Sequence, residues 1–374
     1  MKKTLVAAAV AASFAAPEVS FADVKISGNV IQEFVADDDG THDANGAAKT
    51  TIDDGLESKA AVDLVFSVSE DLGNGLTAFA KIHQLSDNGS GSQGPADQVV
   101  GLKGDFGTIV AGRMEDFSEG KVAAMAATDS SDALSIEPNG SFNTGRNEGG
   151  IAYVSPSFNG LTFGVAGYAL PNMNSSATSL TITSISTLSG AGITPAAVVV
   201  SGTSATILLE NAVAKDADAT IDATDIMIEY ANAGLTVRLA QENVDAAVYG
   251  DPASKKDQKT TSLGVSYKMG DLTMVGYAFD VENGAGVDAN DVDGYFVGAK
   301  MAMGANTFGI GYSEEDDVNT SSKAKESGQD KNWMLSVDHA LSKRTSITAA
   351  FEANEDGSAG TDNDKWAVGL KHVF

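Results

Sequence analysis

Cysteine is absent from all 374 residues. Its absence removes disulfides, thiolate metal sites and a cysteine nucleophile together. Basic side chains are scarce: 24 Lys and Arg stand against 51 Asp and Glu, a formal net charge of -27. A surface of that sign repels nucleic acid, which is excluded as a partner. Proline is rare at 7 residues while glycine reaches 40, a balance suited to many strands joined by tight turns. The four histidines, His42, His83, His339 and His372, are dispersed and lack metal-ligand spacing. No Gly-x-Ser-x-Gly elbow is supported, and no other catalytic constellation stands out. After the first residues there is no long apolar run, so the mature chain has no transmembrane helix. It can enter a membrane only as a closed barrel, because an open sheet edge in lipid leaves backbone groups unpaired.

What is present begins with a targeting segment. Lys2 and Lys3 form a basic start, residues 4–16 an apolar run, and Ser20-Phe21-Ala22 a small-residue cleavage site. The pattern marks residues 1–22 as a signal peptide cut between Ala22 and Asp23, with export through the general secretory route.

The chain's last ten residues set the reading of the rest. Trp366, Val368, Leu370, His372 and Phe374 share one parity, and Lys365, Ala367, Gly369, Lys371 and Val373 the other. A strand sends alternate side chains to opposite faces, so this segment has one apolar, aromatic-tipped face. It reads as the closing strand of a barrel whose outside meets lipid, with Trp366, Leu370, His372 and Phe374 as the closing and assembly signature. Trp366 and Phe374 then lie at opposite membrane interfaces.

The same alternation recurs along residues 23–374. Strands are expected over 24–36, 57–70, 76–85, 97–104, 107–114, 150–156, 161–169, 224–231, 235–243, 260–268, 272–281, 294–302, 307–314, 332–340, 345–354 and 365–374. That is about 16 strands, an even number of the length a tilted membrane strand needs. Their connections alternate short and long. Asn74-Gly75 is a strong hairpin signal among the short ones. Residues 244–259, 282–293, 315–331 and 355–364 are read as polar long loops. Residues 170–223 are read as a long irregular extracellular insertion, in which 197–200 and 205–209 are candidate short strands or wall extensions. Outward sets include Ile226, Ile228 and Tyr230, and Trp333, Leu335 and Val337. The faces of 107–114 and 272–281 are ambiguous, since both parities carry apolar residues. Elsewhere the second face is mostly Thr, Ser, Gly, Lys and Glu, which suits a water-filled interior. The expected fold is all-β: a 16-stranded antiparallel transmembrane β-barrel of the outer-membrane type.

Several phrases carry a resemblance. They are Ser69-Glu70-Asp71-Leu72-Gly73-Asn74-Gly75-Leu76, Gly101-Leu102-Lys103-Gly104-Asp105-Phe106-Gly107-Thr108, Gly112-Arg113, the run from Tyr153 to Phe163, and Gly369-Leu370-Lys371-His372-Val373-Phe374. In that order the chain resembles the Gram-negative general diffusion porins, of the neisserial and proteobacterial type. The resemblance implies a homotrimer in the cell outer membrane. Its implied partners are outer-membrane lipid, lipopolysaccharide and the barrel-assembly machinery. It also implies that the third long loop, 115–149, folds inward as the constriction, with Glu115, Asp116, Glu119, Asp129, Asp132 and Glu137 as its carboxylates.

One departure from the family bears on charge. Its members face the acidic loop with a ladder of arginines, and the matching wall positions here fall at or near Asp63, Ala96 and Ala152, none basic. Lys59 and Lys81 are the nearest inward substitutes, with Lys25, Arg238 and Lys300 elsewhere. The pore wall set is therefore Lys59, Asp63, Lys81, Arg238 and Lys300. The family's Pro-Glu-Phe-Gly-Gly-Asp phrase is missing; residues 136–140 hold Ile-Glu-Pro-Asn-Gly. The expected function is passive diffusion of small hydrophilic solutes and ions, cation-preferring, with no enzymatic activity. No cofactor is implied. Residues 37–40 and 288–294 open like calcium loops but lack the Glu at the twelfth position, which leaves loose Ca²⁺ or Mg²⁺ binding at acidic outer loops. The alternatives are a sugar-selective channel with Phe79, Tyr168 and Phe296 as a sliding track, and a non-channel β-rich adhesin.

Overall fold

Strand alternation, carried around a closed ring, organises the chain. The structure, a computed structural model, describes residues 23–37, 56–87, 93–123, 134, 146–170, 179–182, 197–201, 204–208, 221–249, 255–287, 290–319, 324–355 and 362–374. The expected signal peptide, residues 1–22, lies outside them, as do residues 38–40 and 288–289 of the calcium-like stretches. In chain order the strands are β1 (Asp23–Asp37), β2 (Leu56–Gly73), β3 (Leu76–Asp87), β4 (Gln93–Gly104), β5 (Gly107–Glu115), β6 (Arg146–Val154) and β7 (Leu161–Tyr168). Next come β8 (Ser179–Ile182), β9 (Ala197–Ser201), β10 (Ser204–Leu208), β11 (Ala223–Asn232), β12 (Leu235–Val244), β13 (Gln258–Met269) and β14 (Leu272–Glu282). The last are β15 (Val292–Met303), β16 (Asn306–Asn319), β17 (Ala324–Ala340), β18 (Thr345–Glu355) and β19 (Asp362–Val373).

Each barrel strand pairs antiparallel with its sequence neighbours, β7 pairs with β11, and β1 pairs with β19 to close the ring. The result is the expected all-β barrel of sixteen antiparallel strands. At the seam Asn29 faces Val373, and one residue further the backbones of Gly28 and Phe374 exchange both N–H···O bonds, at 3.0 and 3.2 Å. Short turns connect the strands at one end and long segments at the other. Asn74 and Gly75 both adopt left-handed φ, 54° and 76°, as a two-residue hairpin turn needs.

The outward parity is as read from the sequence. Ile226, Ile228, Leu239, Leu263, Phe308, Ile310, Trp333, Leu335, Ile347, Phe351 and Trp366 all stand exposed on the barrel's outer face. Near the long-segment end, Tyr295, Tyr312 and Trp333 pack in a row with their rings tilted by 53° and 50°, centroids 6.0 and 4.5 Å apart. Tyr230, Tyr267 and Phe308 flank the short turns. An apolar band between two aromatic girdles is the surface a bilayer requires.

Three expectations are corrected. Of the two readings of 197–200 and 205–209, short strands hold and wall extensions do not: β10 pairs with β8 on one side and β9 on the other in a separate three-stranded sheet, and none of the three pairs with a barrel strand. The segment 315–331 is not a long loop. β16 runs on to Asn319 and β17 begins at Ala324, with Glu314 opposite Lys331 and Val318 opposite Lys325. Beyond the bilayer a ladder needs no apolar face, so polar residues continue it. The inner face is also less polar than its composition suggests. Ile31, Val35, Tyr277, Phe279, Val281, Val292, Phe296 and Met334 point inward and are buried. This resolves the ambiguity of 272–281: Met274 faces out, while Tyr277, Phe279 and Val281 face in.

Part of that inner apolar surface is covered by the links β12–β13 and β14–β15. Ala246 and Val248, on a short helical turn (Ala246–Tyr249), are buried with Val281 and Val292. Gln258 ties the two links together: its Oε1 accepts from the Tyr249 hydroxyl at 3.0 Å and from the Ala285 N–H at 2.9 Å. Burial, helped by the negative charge of Glu242, raises the Tyr249 hydroxyl pKa above its ordinary value.

Candidate functional site

The third long segment leaves β5 through a kink at Gly112, φ 133°, and immediately turns back onto the wall. Asp116, Phe117 and Ser118 are buried, and Ser118–Val122 forms a π-helical turn in which Gly120 N–H donates to the Asp116 carbonyl at 3.0 Å. Three wall elements hold it. The Phe117 N–H donates to Asp225 Oδ2 on β11. Arg238 on β12 donates from Nη1 to the Lys121 carbonyl at 2.7 Å, while its Nε bonds Glu229 Oε2 at 2.5 Å. The Phe117 ring lies over Gly164 on β7, where a Cβ would come within 2.9 Å of it. Glycine at that inward position makes the notch the ring fills. Val122 and Leu134, further along the segment, are also buried in the same apolar cluster. The described part of this segment therefore lies on the inner wall of β7, β11 and β12.

A second constellation lies on the inner wall of β1 to β6. Lys81 Nζ donates to Asp97 Oδ2 at 2.7 Å. His83 Nε2 lies 2.6 Å from Asp63 Oδ1, and its Nδ1 lies 4.0 Å from Asp97 Oδ2. Asp63 Oδ2 also accepts from Asn29 Nδ2 at 3.3 Å. Arg146 pairs with Glu115 and lies 3.6 Å, Nε to Oδ1, from Asp97. A bulge borders this junction: Ala96 and Asp97 of β4 together oppose the single residue His83 of β3, since Ile82 pairs with Gln98 and Gln84 with Pro95. It re-aims Ala96, which is buried on the inner side beside Asp97. Six consecutive strands are thereby joined by charge pairs and hydrogen bonds.

The residues singled out from sequence are distributed as follows. Glu115 is at the base of the loop, on Arg146, and Asp116 is buried against the wall. Glu119 has its backbone in the π-helical turn, with its side chain outside the described residues; Asp129, Asp132 and Glu137 lie wholly outside them. Lys59 stands across the ladder from Glu33, and Asp63 and Lys81 belong to the wall network. Arg238 holds the loop on the opposite side of the interior, and Lys300 has the inward parity on β15, apart from both groups. Trp366 and Leu370 are outward and about half exposed (50% and 52%), and His372 Nδ1 shares a 3.0 Å hydrogen bond with Thr345 Oγ1. Ala96 and Ala152 are buried. The proposed aromatic track does not form. Tyr168 and Phe296 are 1% and 0% exposed, packed under the infolded segments rather than presented to a solute.

Sequence reasoning missed Asp97, Arg146, Asp225 and Glu229, and set His83 aside. The available signal was parity: inward positions on neighbouring hairpin strands are each other's neighbours. Among the described residues no three His, Cys, Asp or Glu side chains are grouped to hold a metal, and no helix is long and apolar enough to cross a membrane.

Comparison with solved structures gives the same architecture at low identity. An anion-selective porin from Comamonas acidovorans is 19% identical, with TM-score 0.61, over 95% of this chain and 100% of that one. OmpF of Salmonella typhi, in complex with daunomycin, is 15% identical, with TM-score 0.66, over 94% and 97%. The outer membrane protein OmpT of Vibrio cholerae, in a trimer form, is 11% identical, with TM-score 0.60, over 94% and 99%. A search of curated protein sequences finds no significant match. The family model described as Gram-negative porin matches residues 4–371. With its closed ring, lipid-ready outer face and charged inner wall, the chain belongs to the Gram-negative porin family, whose members are non-enzymatic channels of the outer membrane.

Proposed function

We propose that this porin passes small hydrophilic solutes and ions by diffusion, that the segment 115–149 is its constriction, and that it prefers cations. The observation that carries the preference is the state of the basic wall residues. In the network on β1 to β6 the cations Lys81 and Arg146 face three carboxylates, Asp63, Asp97 and Glu115, while Lys59 stands opposite Glu33 and Arg113 donates from Nε to the Ala96 carbonyl. Such a wall offers anions no unmasked ladder, while an interior of net negative charge favours cations. The anion preference named for the Comamonas relative is a property of that protein, and 19% identity transfers only the fold. In planar bilayers under a KCl gradient, the reversal potential is expected to take the sign of K⁺ permeation. A reversal potential of Cl⁻ sign refutes the preference.

The assembled unit is proposed to be a homotrimer. Within β3, β4 and β5 the outward positions hold Ala78, Ala80, Ile82, Gln98, Val100, Leu102, Ile109 and Ala111, with no aromatic among them, whereas β15 to β19 carry the girdle. A face without interfacial anchors suits protein better than lipid. The mature start is proposed at Asp23, which is also the first residue of β1. Sequencing the N-terminus of the outer-membrane form tests it.

A further inference from the structure

We infer that Asp97 keeps Lys81, and with it the charged network of the β1–β6 wall, electrically silent, and so is the residue that sets how strongly this network discriminates between ions. The inference rests on the reading of the interior as a water-filled path. Asp97 is the hub of its network. One oxygen takes the Lys81 ammonium at 2.7 Å and stands 4.0 Å from the His83 ring; the other stands 3.6 Å from Arg146. Its side chain is 18% exposed, whereas that of Lys81 is 38% exposed. The cation is thus the partner that reaches the water, and the anion is the one tucked behind it. An ion pair arranged in this way presents passing ions with a near-neutral dipole instead of a positive charge. Arg146 and His83 have other carboxylates as well, Glu115 and Asp63. For Lys81 the carboxylate in contact is Asp97. Loss of the Asp97 charge therefore unmasks Lys81 most completely.

The register makes this arrangement specific. The pairing of Lys81 with Val99 and of Ile82 with Gln98 continues to place Asp97 opposite His83 on the inner face, beside Lys81. The bulge that follows turns Ala96 inward as well, where it is buried and its carbonyl accepts from Arg113 Nε at 3.1 Å.

The test is a double-mutant cycle on the purified full-length mature porin in planar bilayers, reading the K⁺/Cl⁻ permeability ratio. Asp97→Asn is expected to lower the ratio about threefold. One unit charge about 6 Å from the ion path changes each permeability about threefold in water, in opposite senses for K⁺ and Cl⁻. Screening at about 0.1 M salt roughly halves that effect on a logarithmic scale. Lys81→Met alone is expected to raise the ratio by a similar factor, because the Asp97 charge is then left without its partner. In the Asp97→Asn background, Lys81→Met should restore most of the lost ratio. Asp105→Asn, in the β4–β5 turn, removes an equal charge away from the network and should leave the ratio near that of the parent. Equal shifts from Asp97→Asn and Asp105→Asn overturn the inference. So does an unchanged ratio on Lys81→Met in either background, which for the single variant needs no folded Asp97 substitution. Absence of any current from the unsubstituted protein refutes the channel reading itself, a different failure from an unchanged ratio.

Discussion

Ala233 holds a left-handed backbone, φ 49°, in the turn between β11 and β12, followed by Gly234 at φ 85°. An L-residue with a Cβ is strained there, and asparagine tolerates the conformation better. Ala233→Asn should raise unfolding stability by about 0.5–1 kcal/mol, seen as a higher urea midpoint for the refolded barrel. Arg238 is a second single residue with a measurable effect. It bonds both Glu229 and the Lys121 carbonyl, so it fastens the infolded segment to the wall. Arg238→Ala removes charge-assisted hydrogen bonds worth about 2 kcal/mol. It should release the π-helical turn, giving larger fluctuations of the open-channel current with the barrel intact; a current as quiet as the parent's counts against the anchoring role. The individual residues were the least legible part of the sequence. Arg238 was recognised as a wall residue, but its grip on a backbone carbonyl 117 positions away could not be read. His83 looked solitary because its partners Asp63 and Asp97 come from two other strands.

Elements were far more legible, because each strand announces itself through its own alternation. β19 is the clearest instance. Trp366, Val368 and Leu370 face out as expected, and its end closes the ring against β1. Phe374 lies just beyond β19, yet its backbone exchanges two hydrogen bonds with Gly28. Deleting Phe374 removes those bonds and an outward aromatic together, and should reduce the yield of assembled, heat-modifiable barrels in the outer membrane. An undiminished yield would show that the final residue is dispensable. The covered inner face of β13 to β15 was less visible, and the reason is physical. An inward apolar residue such as Phe279 breaks the polar-in rule only if water lies opposite it, and here the links β12–β13 and β14–β15 lie opposite. Gln258 organises that cover. Gln258→Leu leaves the Tyr249 hydroxyl and the Ala285 N–H without their acceptor, a loss of about 1–3 kcal/mol per buried group. Faster protease cleavage within 245–257, in barrels that otherwise remain folded, is the expected result.

Across the whole molecule, charge and closure dominate. The formal charge of -27 spans an interior and loops bathed in water, so its influence on ions is screened by salt. The K⁺/Cl⁻ permeability ratio should therefore fall toward unity as KCl is raised from about 0.1 M to about 1 M, where the Debye length shrinks from about 10 Å to about 3 Å. A ratio independent of salt would mean that selectivity comes from direct coordination and not from the field. Closure explains why such an acidic chain folds at all: every edge of the sixteen barrel strands is paired, including β1 with β19. No hydrocarbon-exposed backbone group needs a partner from elsewhere.

Strand number, the sense of each face and the order of the turns were already present in the linear chain, since a period of two and a turn residue are local properties that no distant contact has to supply. Which charges meet, which are masked and which inner surfaces stay dry were decided only by folding. Asp63, His83, Asp97 and Arg146 acquire their meaning when the register of four strands brings them within reach of one another. Electrostatic energy depends on distance through space, and along the sequence those distances are not written.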